Sequence, residues 1–163
     1  MNRRLLIIVL MACLLPLGMQ AQQGTFRFAQ LTDIHLTPNN PNPTEDLLRS
    51  IAQINATDSI DFVLVTGDLT EEGDRATMEK VKSCLDLLKV PYHVALGNHE
   101  TKWSDSGCTA FGEIFGGERF EFEHKGFLFL GFNSGPLMRM AYGHVVPQDI
   151  RWMTERMSRY NTG

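Results

Sequence analysis

Apolar positions fall into blocks whose spacing changes from two residues to three or four along the chain. Residues 25–31 alternate and then run apolar, the pattern of a strand leading into a core. An Asn- and Pro-rich loop, residues 38–43, separates it from Leu47, Leu48, Ile51 and Ile54, which recur at helical spacing. Thr44 ahead of Glu45 and Asp46 reads as the start of that helix, a capping hydroxyl followed by acidic groups at the positive end of the dipole. Residues 61–66 form a continuous β-branched and aromatic run, suited to a central parallel strand buried on both faces. Gly73-Asp74 opens a second helix marked by Met78, Val81, Leu85 and Leu88, and residues 90–96 form a third strand. Strand–helix–strand–helix–strand predicts parallel pairing with right-handed crossovers.

Beyond residue 100 the pattern shifts. A polar loop containing Trp103 precedes a short helix over 110–115 that ends at Gly116-Gly117. Residues 120–124 and 127–132 flank Lys125-Gly126 and predict a β-hairpin, closed by turn residues 131–136. A last helix spans 147–160, with Ile150, Met153 and Met157 on one face. Nothing repeats, and no low-complexity tract or coiled coil is present.

The chain has 163 residues, 43% of them hydrophobic, enough for one packed domain. Its start is different in kind. Asn2-Arg3-Arg4, an apolar stretch over 5–17 and Met19-Gln20-Ala21 form the three parts of a secretory signal peptide cleaved after Ala21. The domain is then 22–163, and the protein is exported, periplasmic or secreted. A membrane anchor is the rival reading, but the apolar run is short for a bilayer span and Pro16 and Gly18 interrupt it. Anchoring by lipid at Cys13 is weaker still, because the apolar core before it would be very short. The mature chain therefore carries no transmembrane span. It keeps 13 basic residues, fifteen less Arg3 and Arg4, against 19 acidic ones. That excess of acid excludes a nucleic-acid-binding face and leaves a phosphate substrate to be held by metal ions. Export permits a disulfide between Cys84 and Cys108, although two buried free thiols are the plainer reading.

Three short stretches carry the candidate chemistry: Asp33-Ile34-His35, Gly67-Asp68 and Gly97-Asn98-His99-Glu100. Each follows an apolar strand, and in an α/β sheet ligands gather at the carboxyl ends of the strands. Asp33 and His35, two apart in a turn, can reach one ion; Asp68 has two oxygens and can bridge two; Asn98 offers an amide oxygen and His99 a nitrogen. Oxygen and imidazole together suit Mn, Fe, Co, Ni or Zn. Two such ions about 3.5–4 Å apart clamp a phosphate and generate a hydroxide at neutral pH. Singly, each stretch is ordinary turn chemistry. The three in this order, about thirty residues apart, are not.

Asp33-Ile34-His35, Gly67-Asp68-Leu69-Thr70 and Gly97-Asn98-His99-Glu100 resemble the successive motifs of the calcineurin-like metallophosphoesterase superfamily, closely over residues 26–100 and more loosely over 120–152, as in its exported bacterial members. The resemblance implies an α/β fold, a sandwich of two β-sheets flanked by helices. It implies hydrolysis of small-molecule phosphomonoesters or phosphodiesters with two divalent ions (Mn, Fe, Zn, Co or Ni). Asp33, His35 and Asp68 would bind the first ion, and Asp68 would bridge to a second also held by Asn98. His99 would face the phosphate as the catalytic residue, stabilising the transition state or protonating the leaving oxygen. Glu100, Trp103 and His144 are candidates for supporting the ligands or touching substrate, Trp103 by stacking on an organic group. Three departures stand out. Glu100 replaces the commoner Asp, and Glu71 replaces the iron-binding Tyr of purple acid phosphatases, which excludes that subclass. The family's later His and its Gly-His-x-His turn have no match, since Gly143-His144-Val145-Val146 carries Val at the second His. The chain thus reads as the amino-terminal portion of a longer protein whose C-terminal half completes the site, the portion alone holding one ion or none. The alternative is a truncated, catalytically silent metal-binding or structural module.

Overall fold

The structure is a computed structural model and describes residues 24–136 and 142–160; the leader read over residues 1–21, with Cys13, lies outside them. At its centre is β2 (Phe62–Thr66), paired in parallel with β1 (Phe28–Leu31) on one side and β3 (Tyr92–Ala95) on the other. Alternation along β2 decides which layer covers which face. Val63 and Val65 point to helices α1 (Asn42–Ala56) and α2 (Arg75–Leu85), where Leu47, Ile51, Met78, Val81 and Leu85 bury with them in one core. The expected strand–helix–strand–helix–strand order is therefore present, with each strand shorter than the apolar run that marks it.

The two helices start differently. Asp74 caps α2 as expected, its carboxylate accepting the Thr77 N–H at 2.9 Å. Thr44 does not cap α1: the helix begins at Asn42, whose N–H donates to Asn40 Oδ1 at 3.0 Å. Pro43 is the reason, because a proline fits the first turn, where the missing N–H needs no partner. Thr44 is left inside the helix with a buried, unpartnered hydroxyl oxygen.

A hairpin of β4 (Phe120–His124) and β5 (Phe127–Gly131) forms the second sheet. Lys125 and Gly126 both have positive φ, 47° and 83°, the requirement of a two-residue turn whose twist matches the strands. Lys125 Nζ reaches across to Asp61 Oδ1 at 2.7 Å. That ammonium, with the Arg27 N–H, holds the Asp61 carboxyl down at about 2. Between the sheets lies an aromatic layer. Phe62 meets Phe122 edge-on at 5.1 Å, Phe122 stacks on Phe129 at 4.7 Å, and the His93 ring lies flat on Phe122 at 3.7 Å. Such pairs contribute roughly 0.5–1.5 kcal/mol each beyond their buried area. The sandwich flanked by helices matches the expected fold class.

Two further helices complete the described residues. Helix α3 (Thr109–Phe115) buries Ala110 and Phe111 and ends at Gly116 in the left-handed region. Helix α4 (Pro147–Tyr160) attaches by charge: buried Asp149 accepts from Arg119, and Arg156 Nε lies 2.6 Å from Glu121 Oε2. The residues that mark α4 in the sequence do not bury, for Ile150 and Met157 are each more than half exposed. Among the described residues no helix is long and apolar enough to cross a membrane.

His93 lies between the sheets, where burial lowers its pKa below 6.5. The unfolded chain then binds the proton more readily, so stability is full above pH 6.5 and falls as the pH drops toward the folded value. His93→Phe should flatten that acid-side slope in chemical denaturation measured at several pH values. A variant as acid-sensitive as the wild type would place the slope elsewhere.

Candidate metal and catalytic site

Backbone geometry singles out the site before any side chain is considered. Six non-glycine residues have positive φ among the described residues, and three of them are Asp33 (53°), His35 (49°) and Asp68 (50°). Asp and His tolerate the left-handed region better than most, but three together at strand ends mark a place where the surroundings over-determine the backbone. The surroundings are visible. Past the ends of β1 and β2 the chains stay paired: Asp33 N–H donates to Gly67 O at 3.2 Å, His35 N–H to Asp68 O at 3.0 Å and Leu36 N–H to Leu69 O at 3.0 Å. The β2 and β3 turns touch at their glycines. A Cβ on Gly67 would lie 2.5 Å from the Gly97 Cα, and one on Gly97 would overlap the Asp68 carboxylate. Glycine before Asp68 and before Asn98 is therefore a condition of bringing those two side chains to one place.

The donors converge. His35 Nε2 lies 3.8 Å from Asp33 Oδ1 and 4.0 Å from Asp68 Oδ2. With metal–ligand bonds of about 2.0–2.2 Å, two donors on one ion sit roughly 3–4 Å apart, so these three residues fit a divalent cation. A second group of three, His35, Glu71 and His99, also brings its ligand atoms within 4.8 Å of one another. The His99 ring stands perpendicular to that of His35, with centroids 4.6 Å apart, and the His99 N–H donates to Asp68 Oδ1 at 3.1 Å. Asn98, exposed, opens the single wide helical turn His99–Trp103 beside them.

Glu100 lies beneath the turns, fully buried. Its Oε1 accepts the N–H groups of Leu69 (2.9 Å) and Thr70 (3.1 Å), and its Oε2 accepts that of Gly97 (2.9 Å). Burial raises its pKa, and the three N–H donors oppose the rise. The remaining candidates are placed elsewhere. Trp103 ends the same helical turn, about half exposed, with Lys102 Nζ 4.7 Å from its ring centroid. His144 lines a cavity of about 490 Å³ with Arg119, Asn133 and Asp149, a set that includes none of the three converging donors. A separate cavity of about 350 Å³ does adjoin them, lined by Asp33, His35, Pro43, Asp46 and Ser50. Glu71, which the sequence marks only as standing in place of a Tyr, has a part the sequence does not disclose: its Oε2 lies 3.0 Å from His35 Nδ1, a contact between positions thirty-six residues apart.

A two-sheet sandwich brings Asp33, His35 and Asp68 together at its strand ends as a group that could hold a metal ion. The family comparison agrees: a sequence model of the calcineurin-like phosphoesterases matches residues 26–158, and the chain belongs to that family. It is 32% identical over 97 residues to a probable cyclic nucleotide phosphodiesterase of Rhodopseudomonas palustris, covering 56% of this chain and 33% of that protein. It is 24% identical over 136 residues to a 3′,5′-cyclic-nucleotide phosphodiesterase of a Nostoc species, covering 79% of this chain and 50% of that one. It is also 25% identical over 118 residues to the uncharacterised YvnB of Bacillus subtilis, covering 63% of this chain and 9% of that protein. The aligned part thus spans at most half the length of these relatives.

Glu100→Gln turns one acceptor oxygen into an amide that faces N–H donors. Leaving those buried donors unmatched should cost roughly 1–3 kcal/mol, read as a lower urea midpoint with unchanged slope. A change under about 0.5 kcal/mol, the range of ordinary surface substitutions, would mean that the carboxylate does not hold the turns together.

Proposed function

We propose that this chain provides the catalytic residues of a metal-dependent phosphoric ester hydrolase acting on a small phosphodiester. The observation that carries the proposal is the convergence of Asp33, His35 and Asp68 on one point, on left-handed backbone at the ends of two paired strands. Asp33, His35 and Asp68 would hold one divalent ion, and Asp68 with Asn98 would reach a second. Bound there, such ions supply Lewis acidity toward the phosphoryl oxygens and a nucleophile at neutral pH. His99 does its work from its own ring. Its Nδ1 lies 2.6 Å from the Glu71 carbonyl, which accepts the Nδ1 hydrogen and leaves Nε2, when the ring is imidazolium, to deliver its proton to the leaving oxygen. The Asp68 carboxylate on the His99 N–H keeps that ring beside the donors.

The names of the relatives favour a 3′,5′-cyclic nucleotide as the first substrate to test, with a chromogenic phosphodiester as a general probe. Export through the leader over residues 1–21 belongs to the same proposal. A second reading, an ion-binding chain without turnover, draws on the donor count: among the described residues only Asp68 and Asn98 are assigned to the second ion. Metal analysis of the purified chain separates the two, since about two ions per chain with turnover excludes the silent module.

In the Mn²⁺-loaded chain, Asp68→Asn should remove both metal and phosphodiester hydrolysis. His99→Ala should lower kcat by about 10²–10⁴-fold, the range for a positioned acid, with metal content unchanged. Metal loss in the His99 variant would show that this imidazole is a ligand.

A further inference from the structure

Glu71 meets both imidazoles, one with its side chain and the other with its main chain. The His35 Nδ1 lies 3.0 Å from Glu71 Oε2, and the His99 Nδ1 lies 2.6 Å from the Glu71 carbonyl oxygen. We propose that Glu71 is a positioning residue that sets the tautomer and orientation of His35 through its carboxylate and of His99 through its backbone. Its meaning for metal binding rests on the function proposed above; the tautomers themselves do not.

The position of residue 71 is built into the fold. Beyond the sheet proper, Leu36 pairs with Thr70, and the Glu71 N–H donates to Leu36 O at 2.9 Å, which sets residue 71 alongside His35. Two residues on, Gly73 (φ 64°) lies so close to the His99 turn that a Cβ there would be 2.6 Å from the His99 carbonyl oxygen. The loop is pressed onto both histidines at once.

A carboxylate and a carbonyl oxygen accept hydrogen bonds and do not donate them, so each ring carries a hydrogen on Nδ1, and when the ring is neutral its lone pair is on Nε2. For His35 this is the nitrogen that faces Asp33 and Asp68. An oxygen acceptor on the far nitrogen of a metal-binding His is the usual means of fixing its ring. The three residues could instead share an ion directly, since their ligand atoms lie within 4.8 Å of one another. The Glu71 carbonyl argues against His99 Nδ1 as a ligand atom there: with Nδ1 unprotonated, two lone pairs would face each other across 2.6 Å. The arrangement is asymmetric in a testable way. The His35 partner is a half-exposed side chain that substitution removes, whereas the His99 partner is a peptide oxygen that every variant retains.

The test uses the ¹⁵N-labelled full chain, first without metal. Long-range ¹H–¹⁵N spectra should show both His35 and His99 as the Nδ1–H tautomer. Glu71→Ala should move His35 toward the Nε2–H form and leave His99 unchanged. Glu71→Gln, whose amide oxygen still accepts, should largely restore the His35 pattern. Zn²⁺ titration should give an affinity about 10–100-fold weaker in Glu71→Ala, with Nδ1–H of His35 retained in the bound wild type. An Nε2–H His35 in the wild type would overturn the proposal. So would a Glu71→Ala variant with an unchanged His35 spectrum, or loss of the Nδ1–H signals on binding Zn²⁺. A wild-type chain that shows the Glu71-dependent tautomer but takes up no Zn²⁺ would uphold the positioning role and sink the metal-centre reading.

Discussion

One buried carboxylate joins the pieces on which the candidate site depends. The turns after β2 and β3 approach each other through glycine, and their N–H groups point inward where no strand can pair them. Glu100 takes up three of those groups, from Leu69, Thr70 and Gly97. Burying a carboxylate is costly on its own, and a pKa raised by desolvation records that cost. Supplying acceptors to otherwise orphaned amides offsets it, because an unmatched buried N–H is itself expensive. Asp68, Asn98 and His99 all lie within two residues of a group that Glu100 binds.

Around that joint the fold divides into a rigid platform and a strained rim. On one face of the parallel sheet aliphatic side chains lock α1 and α2 in place, and on the other the aromatic layer holds the hairpin. The rim carries the left-handed residues, each held by pairing that continues past the strand ends. Stiff strands beneath tight turns bring three donors from two distant segments together.

Much of this was legible from periodicity. The element order, the α2 cap, the Lys125-Gly126 turn and the bounds of α4 follow from local chemistry, and the structure has them. What misled was competition between local signals. Thr44 has the chemistry of a cap, but Pro43 is accommodated in the first turn and shifts the helix start to Asn42. The apolar residues of α4 have helical spacing, yet the contact is made by Asp149 and Arg156, because Arg119, just before the hairpin, and Glu121 within it lie opposite them. At the site, the motif spacing placed Asp33, His35, Asp68, Asn98 and His99 at neighbouring strand ends, while the part of Glu71 depends on a rung of pairing between Leu36 and Thr70 that no periodicity reports.

The two cysteines among the described residues, Cys84 and Cys108, have a consequence for thiol chemistry. Neither pairs, and burial pushes both thiols up, Cys108 to about 11 with the nearby Glu118 charge adding to the rise. Only about one part in ten thousand of Cys108 is then thiolate at neutral pH, and the thiolate is the form that attacks disulfides. Cys84, buried on α2, is shifted in the same direction by that burial. Both sulfurs are thereby kept slow to exchange with other thiols and disulfides.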